Sequence, residues 1–585
     1  MDNNSIAKIL YEVGEYLEMQ EVPFKPRAYE KVAQVIESLE EPVLEIYKKG
    51  GLKAVEEIQG VGLSIAEKIE ELLKTGKLKY YDQLKKKTPV NLSELSKIEG
   101  LGPKGIKKLY QKLGIKDMAD LEKAAKAGKI GKLAGFGPKS EENILKGIGF
   151  AKSFGGRFLI GSVMPGIRQI QNRLRGLNNV KRVEVAGSTR RRKETIGDAD
   201  FLVISDKPKE IMDYFVAMPE VLKVLAHGDT KSSVKLRNGM NADLRVLPEE
   251  SYGAALNYFT GSKTHNVALR QIAIKKGLTL SEYGLFKGTA EKRGKLIAGK
   301  TEEEIYEALG MDYIEPEMRE MTGEIEASLR QAQGKPNGLP KLIKYGEIKG
   351  DLQIQTNWTD GENSIEEMAE AAIKDGLEYI AITDHTKRLA MTNGLDEKRI
   401  LKQMAEIDAL NLKLKTKNLK LRILKGSECD ILKDGSMDLP DSILSKLDVV
   451  GASVHSLFNL PQKEQTARIV RAMRNPNVDI LFHPTGRILQ RREPYAVDMD
   501  EIIKVAKETG TILEINASER ADLKDEYIKK CVEAGVKMAI DSDSHTANHF
   551  SSIEYGIAQA RRGWAEKKDI INAWPVEKML SFLKK

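Results

Sequence analysis

The sequence predicts a multidomain protein: an α-helical N-terminal region, a mixed α/β middle and a parallel β/α barrel at the C-terminal end. Three observations carry this. At 585 residues the chain is too long for a single core. A pattern of apolar-x-Gly-apolar-Gly followed by helical periodicity occurs three times before residue 150. In the last 240 residues or so, short apolar runs that end in metal-binding side chains alternate with helical stretches, the rhythm of repeated strand–helix units.

Composition narrows the class. The chain is 41% hydrophobic and 31% charged, as expected for a globular protein. Its two cysteines, Cys429 and Cys531, are too far apart in sequence for a metal-binding spacing, which suits a reducing compartment and no disulfide framework. No signal peptide or membrane-spanning run is read, so a cytoplasmic protein is expected. The net charge of +8 is unevenly spread. Between Lys74 and Lys139, 17 lysines and no arginine stand against 6 acidic residues, whereas the first 73 residues carry 8 basic and 15 acidic ones. On charge alone a basic stretch of this kind is either a solvated lysine-rich surface or an electrostatic footprint for a polyanion.

The N-terminal elements come first. The repeats are "IQGVGLSIAEKI" from Ile58, "IEGLGPKGIKKL" from Ile98 and "LAGFGPKSEENIL" from Leu133. Their glycine pairs are Gly60 and Gly62, Gly100 and Gly102, and Gly135 and Gly137. Two glycines permit a tight turn with bare backbone, and the helix that follows opens with unpaired N–H groups suited to phosphate. This resembles the helix-hairpin-helix motif of DNA binders that ignore sequence. It predicts contacts to the DNA backbone by those six glycines.

The middle region opens with a helical period at "IRQIQNRLRGL", then a strand at "VKRVEVAG", then a Gly187-Ser188 turn and the strand "IGDADFLVIS". Asp198 and Asp200 share one face of that strand, because alternate residues point the same way. Two like charges so close suit either a solvated strand end or a divalent cation between them. "NADLRVL" supplies a third carboxylate, Asp243, in another strand-like context. Three carboxylates with two Mg²⁺ ions suit an in-line phosphoryl displacement. The set resembles the nucleotidyltransferase signature.

The next stretch sharpens it. "YFTGS", from Tyr258 to Ser262, followed by Asn266 and Arg270, resembles the family X DNA polymerases, the group that contains polymerase beta. The resemblance implies that Asp198 and Asp200 bind both palm metals and that Asp243 binds the catalytic one and helps activate the primer 3′-hydroxyl. It implies that Gly187, Ser188, Arg191 and Gly197 hold the triphosphate, and that Tyr258, Phe259 and Gly261 line the nucleotide sugar. Asn266 and Arg270 would read the minor-groove side of the nascent pair, and their i,i+4 spacing puts them on one helix face. The same resemblance makes Lys68 a deoxyribose-phosphate lyase nucleophile, with Tyr29 in its pocket. Ser64 replaces a lysine of the animal members, and the acidic balance of the first 73 residues argues against a lowered amine pKa.

The barrel comes last. Four of the seven histidines, His385, His455, His483 and His545, fall at the ends of its apolar runs, an arrangement that points to metal. These segments resemble the polymerase and histidinol phosphatase (PHP) domain fused to prokaryotic family X polymerases. By that resemblance Glu428, His455 and His483 serve one metal, and Asp360, His385 and His545 another. A third would take Glu428, Asp543 and a His-x-His pair. Here the pair is Gln353 and Gln355, and a neutral amide oxygen is a poor substitute for imidazole toward Mn²⁺ or Zn²⁺. Fewer than three ions and a weakened nuclease are therefore expected.

The expected layout is a helical lyase-like, DNA-end-binding domain over 1–85, helix-hairpin-helix fingers over 86–150 and a palm over 151–248. A thumb over 249–318, a Gly/Pro linker over 319–346 and the PHP domain over 347–585 complete it. The expected function is gap-filling DNA synthesis in repair by a monomer acting on gapped or nicked DNA and dNTP. The PHP domain would act as a 3′–5′ exonuclease or abasic-site endonuclease. Alternatives are a PHP phosphoesterase whose polymerase half only delivers DNA, a non-catalytic DNA-end scaffold, and a template-independent transferase.

Overall fold

A computed structural model describes residues 1–583 apart from positions 2, 40, 97, 99, 100, 154, 155, 290, 291 and 337. The chain divides into two compact units, 1–155 with 490–493, and 156–489 with 494–585.

Among its described residues the first unit is wholly helical, with eight helices of eight residues or more between Asn3–Met19 and Pro138–Ser153. Their apolar faces form one core, from Ile6 and Leu10 through Ile69 and Leu72 to Ile144 and Ile148. Gly62 caps Leu63–Thr75 and Gly102 caps Pro103–Leu113, both in extended backbone and with no side-chain cap. A Cβ added at Gly62, Gly102 or Gly137 would meet nothing within 4 Å, so each of these turns faces open space. Gly60 and Gly135 sit at φ of 79° and 85°, a conformation glycine adopts freely. Gly100 lies outside the described residues.

In the second unit the palm is a five-stranded sheet. Its strands are β1 (Arg182–Val185), β2 (Asp198–Ile204), β3 (Val221–His227), β4 (Lys231–Leu236) and β5 (Asn241–Leu247), in the order β1-β2-β5-β4-β3. β2 and β5 run parallel, the other pairs antiparallel. Helices Ile160–Arg175 and Pro208–Val216 bury Ile167, Ile170, Met212 and Phe215 against the sheet residues Phe201, Val203 and Leu244.

The thumb follows with helices Tyr252–Thr260 and Lys263–Lys275. A small antiparallel sheet comes next, β6 (Leu278–Ser281), β7 (Gly284–Gly288) and β8 (Arg293–Ala298), and then helix Glu302–Ala308. Its core continues through Met318, Ile325 and Leu342. The expected linker over 319–346 is corrected here. Arg319 is fully buried and bonds Glu302 at 2.6 Å. Glu324 opens helix Glu324–Ala332 and bonds buried His265 at 2.9 Å. Paired buried charges read as solvent-facing polar sequence until their partners are known.

The PHP domain is a sheet of seven parallel strands: β9 (Gly350–Ile354), β10 (Tyr379–Ile382), β11 (Arg422–Asp430), β12 (Val449–Ser453), β13 (Ile480–Leu481), β14 (Ile512–Asn516) and β15 (Met538–Asp541). They are adjacent in sequence order, and a parallel bridge from Ile354 to Ser544 brings the first strand to the last, leaving a nearly closed barrel. Every residue of β9, β10, β12 and β14 is buried, the mark of parallel strands covered on both sides.

Candidate active sites

In the palm, Asp200 and Asp243 are register partners on β2 and β5, and Asp198 lies two residues before Asp200 on the same face. Asp198 is exposed and Asp200 half-buried. Burial raises the Asp200 carboxyl, and Asp198 and Asp243 raise it further, to about 6. Lys231 on β4 meets Asp243 at 3.1 Å. Gly187 has φ of 65°, and a Cβ there would lie 2.9 Å from Asp200 Oδ2, so this turn must be bare to pass so near the carboxylates. Ser188 follows in the same turn, and Gly197 immediately precedes β2. An excess of carboxylate oxygen on one strand face suits Mg²⁺, which takes one or two carboxylates and completes its shell with phosphate and water.

Arg191 departs from the expected free triphosphate ligand. Its Nε bonds Glu320 at 2.8 Å and its Nη1 bonds the Thr260 carbonyl, so the guanidinium is engaged by the thumb. Neighbouring Arg190 bonds Glu302 at 2.6 Å. Burial alone would raise Glu302, but Arg319 and Arg190 hold it down at about 2. Tyr258 and Phe259 end a thumb helix with ring centres 5.1 Å apart; Tyr258 is 37% exposed, and Arg245 stacks on Phe259. Gly261 is buried just beyond them at φ of 71°. Asn266 donates to the Tyr258 carbonyl at 2.6 Å, and Arg270 Nε donates to the Asn266 carbonyl at 3.3 Å, so the pair shares one helix face.

The first unit carries Lys68 on helix Leu63–Thr75. Its amine donates to the Ser64 hydroxyl at 3.0 Å and lies 5.2 Å from the Tyr80 ring, while Tyr29 is buried in the same core. Partial burial lowers the Lys68 amine, helped by Lys25 and opposed by Glu67 and Glu71. The expectation drawn from the acidic balance is corrected: desolvation outweighs the neighbouring carboxylates.

In the PHP barrel the metal-binding side chains converge at the C-terminal strand ends. Asp360, His385 and His545 form one group, and His385, Glu428 and His455 another; within each, one ligand atom per residue lies within 4.8 Å of the others. Among the described residues no such group includes the palm aspartates. His483 Nε2 lies 2.8 Å from Glu428 Oε1, beside this second group. Among the described residues, buried His385 Nδ1, His483 Nδ1 and both nitrogens of His455 make no well-directed hydrogen bond, as expected of nitrogens suited to a metal, although His455 Nε2 lies 3.1 Å from Glu428. Ser453 donates to Glu428 at 2.6 Å, and Asp430 lies 3.5 Å from His455 Nδ1. Burial opposes charge on His455, but Glu428 and Asp430 raise it to about 9. Asp360 sits on a loop closed by Gly361, where a Cβ would come within 2.5 Å of the Gln355 carbonyl oxygen.

The residues of the third metal position are arranged otherwise. Gln355 Nε2 donates to Glu428 Oε2 at 2.8 Å. Asn516 Nδ2 donates to Gln353 Oε1 at 3.1 Å and to Asp543 Oδ2 at 3.2 Å. Arg520 Nε donates to the same Asp543 oxygen at 3.3 Å. The carboxylates that would face the ion are already capped by N–H groups, so the side chains present do not fit a third metal. Arg520 and Asn516 escaped the sequence reading: Asn516 ends a buried strand and Arg520 lies on the loop after it, and only the closure of the barrel brings Asn516 to Gln353 and both to Asp543.

Known families match four stretches of the chain. A DNA polymerase beta thumb matches residues 255–320, a helix-hairpin-helix domain 1–78, a SAM-like helix-hairpin-helix tandem 92–149 and a PHP domain 351–518. The chain is 38% identical over 589 residues, and over the full length of both proteins, to the DNA polymerase/3′–5′ exonuclease PolX of Bacillus subtilis. A probable phosphatase of Thermoanaerobacter sp. is 31% identical over 38% of this chain and 88% of its own length. Another, from Acetivibrio thermocellus, is 29% identical over 31% of the chain and 73% of its own length. The full-length match, the polymerase beta thumb and the metal-lined barrel together show that the chain belongs to the family X DNA polymerases that carry a C-terminal PHP domain.

Proposed function

We propose that this chain fills short gaps in duplex DNA by template-directed nucleotidyl transfer in the palm, and removes 3′ nucleotides in the PHP barrel. One observation carries the first half: Asp200 and Asp243 are partners on parallel strands beside the bare turn at Gly187. Asp198, Asp200 and Asp243 would hold two Mg²⁺ ions, which when bound neutralise the carboxylates and stabilise the attacking and leaving oxygens. The Gly187-Ser188 turn would receive triphosphate oxygens on backbone N–H and hydroxyl. Arg191 would exchange Glu320 for phosphate as the nucleotide enters, with Gly197 keeping the entrance to β2 open. Tyr258, Phe259 and Gly261 would form the sugar wall. Asn266 and Arg270 would test the nascent pair from one helix face.

The glycine turns at 60–62, 100–102 and 135–137 would grip backbone phosphates without regard to sequence. In the barrel Asp360, His385 and His545, and Glu428 with His385, His455 and His483, would hold two Mn²⁺ or Zn²⁺ ions, which supply Lewis acidity and an activated water. Asp543 then serves as an acceptor for Asn516 and Arg520 rather than as a ligand. Lys68, beside Tyr29 and Tyr80, would form a Schiff base with a 5′-deoxyribose phosphate.

This reading keeps the layout set out above, with the thumb extended through residue 342. It makes the chain a monomer that works in the cytoplasm; among the described residues no helix is long and apolar enough to cross a membrane.

Primer extension on a one-nucleotide gap, run separately in Mg²⁺ and Mn²⁺, tests both halves. Single-nucleotide addition with 3′ shortening in Mn²⁺ is expected. DNA binding without addition would instead favour a scaffold or a DNA-delivering phosphoesterase, and addition to single-stranded ends a template-independent transferase.

A further inference from the structure

We infer that the guanidinium of Arg520 stands in for the third metal of the PHP centre, so that the site works with two ions and one fixed organic cation. The inference builds on the reading of the barrel as a phosphoesterase. A carboxylate only accepts, so Gln355 must turn its nitrogen to Glu428 Oε2, and Asn516 its nitrogen to Asp543 Oδ2. The Asn516 nitrogen also takes up the Gln353 oxygen. An ion at this position would meet an amide N–H from Gln355 and a full positive charge from Arg520. The Gln353 oxygen is taken by Asn516, and Gln355 Oε1, unpartnered among the described residues, belongs to a side chain whose nitrogen already caps Glu428.

Arg520 suits the substituted role. It is anchored through Nε to Asp543, and its backbone N–H donates to the Ser518 hydroxyl at 3.4 Å. The Ala521 carbonyl beside it accepts from Arg487 Nε at 3.1 Å, and Arg487 in turn bonds Glu194 of the palm at 2.6 Å. The loop that carries Arg520 is thus pinned from two sides. Arg520 Nη1 is buried and, among the described residues, has no hydrogen-bond partner. A buried, charged donor left open is costly unless an anion arrives to take it. In a phosphoesterase that anion is a non-bridging oxygen of the scissile phosphate, which a guanidinium binds through directed N–H groups. A metal would supply one positive centre at this position; Arg520 supplies the charge together with its own donors, and it cannot be removed by a chelator.

The test counts ions in the full-length chain and does not depend on activity. Protein loaded with Mn²⁺ and freed of excess is analysed for metal per chain, for wild type, the pair Gln353→His with Gln355→His, and that pair combined with Arg520→Gln. Two PHP ions are expected for wild type, two for the histidine pair and three for the triple variant. Three ions in wild type, or three in the histidine pair with Arg520 intact, would overturn the inference. Degradation of a 3′-recessed duplex in Mn²⁺ then reads the phosphate contact. Arg520→Gln should raise KM about tenfold with a smaller fall in kcat, and Arg520→Lys should recover part of the loss. Unchanged KM in Arg520→Gln would contradict the contact. Gap filling by each variant reports an intact fold. If wild type holds two ions, the triple variant three, and neither degrades DNA, the phosphoesterase reading fails while the substitution of arginine for metal stands.

Discussion

The palm aspartates and the PHP ligands, both proposed to take divalent ions, are arranged in opposite ways. In the palm the carboxylates sit at a strand edge, Asp198 exposed and Asp243 held by Lys231 at 3.1 Å, and their oxygens do not converge. In the barrel the ligand atoms of two groups already lie within 4.8 Å of one another, and several buried imidazole nitrogens make no well-directed hydrogen bond among the described residues. The difference follows from ligand chemistry. Carboxylates alone form a weak, hydrated Mg²⁺ site that a nucleotide triphosphate completes. Imidazoles with a buried carboxylate form a site that holds its ions before any substrate arrives. One chain thus pairs a centre assembled by its substrate with a centre assembled by folding.

The largest effect that can break this comparison comes from Asp243→Ala. It should lower gap filling about a thousandfold, because losing a metal ligand removes several kcal/mol of transition-state stabilisation. Primer-extension rates should collapse while gel-shift affinity for gapped DNA and 3′ shortening in Mn²⁺ stay within about twofold of wild type. Retained extension would remove Asp243 from the palm site.

The converse substitution, Glu428→Gln, strikes the barrel. Glu428 faces His385, His455 and His483, so its loss should empty the second ion position and slow 3′–5′ degradation about a hundredfold. Single-nucleotide addition should hold. A matched fall in both activities would show that the centres are not separate.

Proton competition sharpens the contrast. Metal-free His455 is raised to about 9, so an ion must displace a proton, and binding to the barrel should tighten up to about tenfold per pH unit until that value is passed. Asp200, raised to about 6, stops competing far earlier, so the Mg²⁺ requirement of gap filling should level off above about pH 6. The stability signs also differ in metal-free protein. The ion pairing of His455 stabilises the fold fully below its ordinary 6.5 and is lost as pH rises through about 9. Asp200 destabilises the fold above about 6 and is relieved as pH falls toward 3.8. Isothermal titrations of Mn²⁺ and Mg²⁺ from pH 5.5 to 9 check both; parallel profiles for the two centres would erase the distinction.

The smallest effect concerns the first unit. Lys68→Ala should remove most, about four-fifths, of the adduct trapped by borohydride on a 5′-deoxyribose phosphate end, since other lysines react non-specifically. Gap filling should be unaffected. Equal trapping by both proteins would move the chemistry away from Lys68.

Much of this was legible in the sequence where function follows from periodicity. Asp198 and Asp200 share a face because strands alternate, and the four barrel histidines mark strand ends because parallel β/α units gather side chains there. What escaped depends on chain closure. Asn516 reaches Gln353, more than 160 residues away, only when the seventh strand returns to the first, and Arg520 joins it at Asp543. The stretch from Arg319 to Ala332 reads as polar linker because its charges are matched by Glu302 and His265, partners no local window contains. The lowering of the Lys68 amine went unread for a related reason: net charge along the chain is a poor guide where burial dominates.

The account is tested most directly by counting tightly held Mn²⁺ by EPR in wild type, Asp243→Ala and Glu428→Gln, each without and then with a non-hydrolysable nucleotide on gapped DNA. Wild type and Asp243→Ala should both hold two ions before substrate, Glu428→Gln fewer, and further ions should appear with nucleotide in wild type and Glu428→Gln but not in Asp243→Ala. A tightly held ion that is present without substrate and lost in Asp243→Ala would contradict the account.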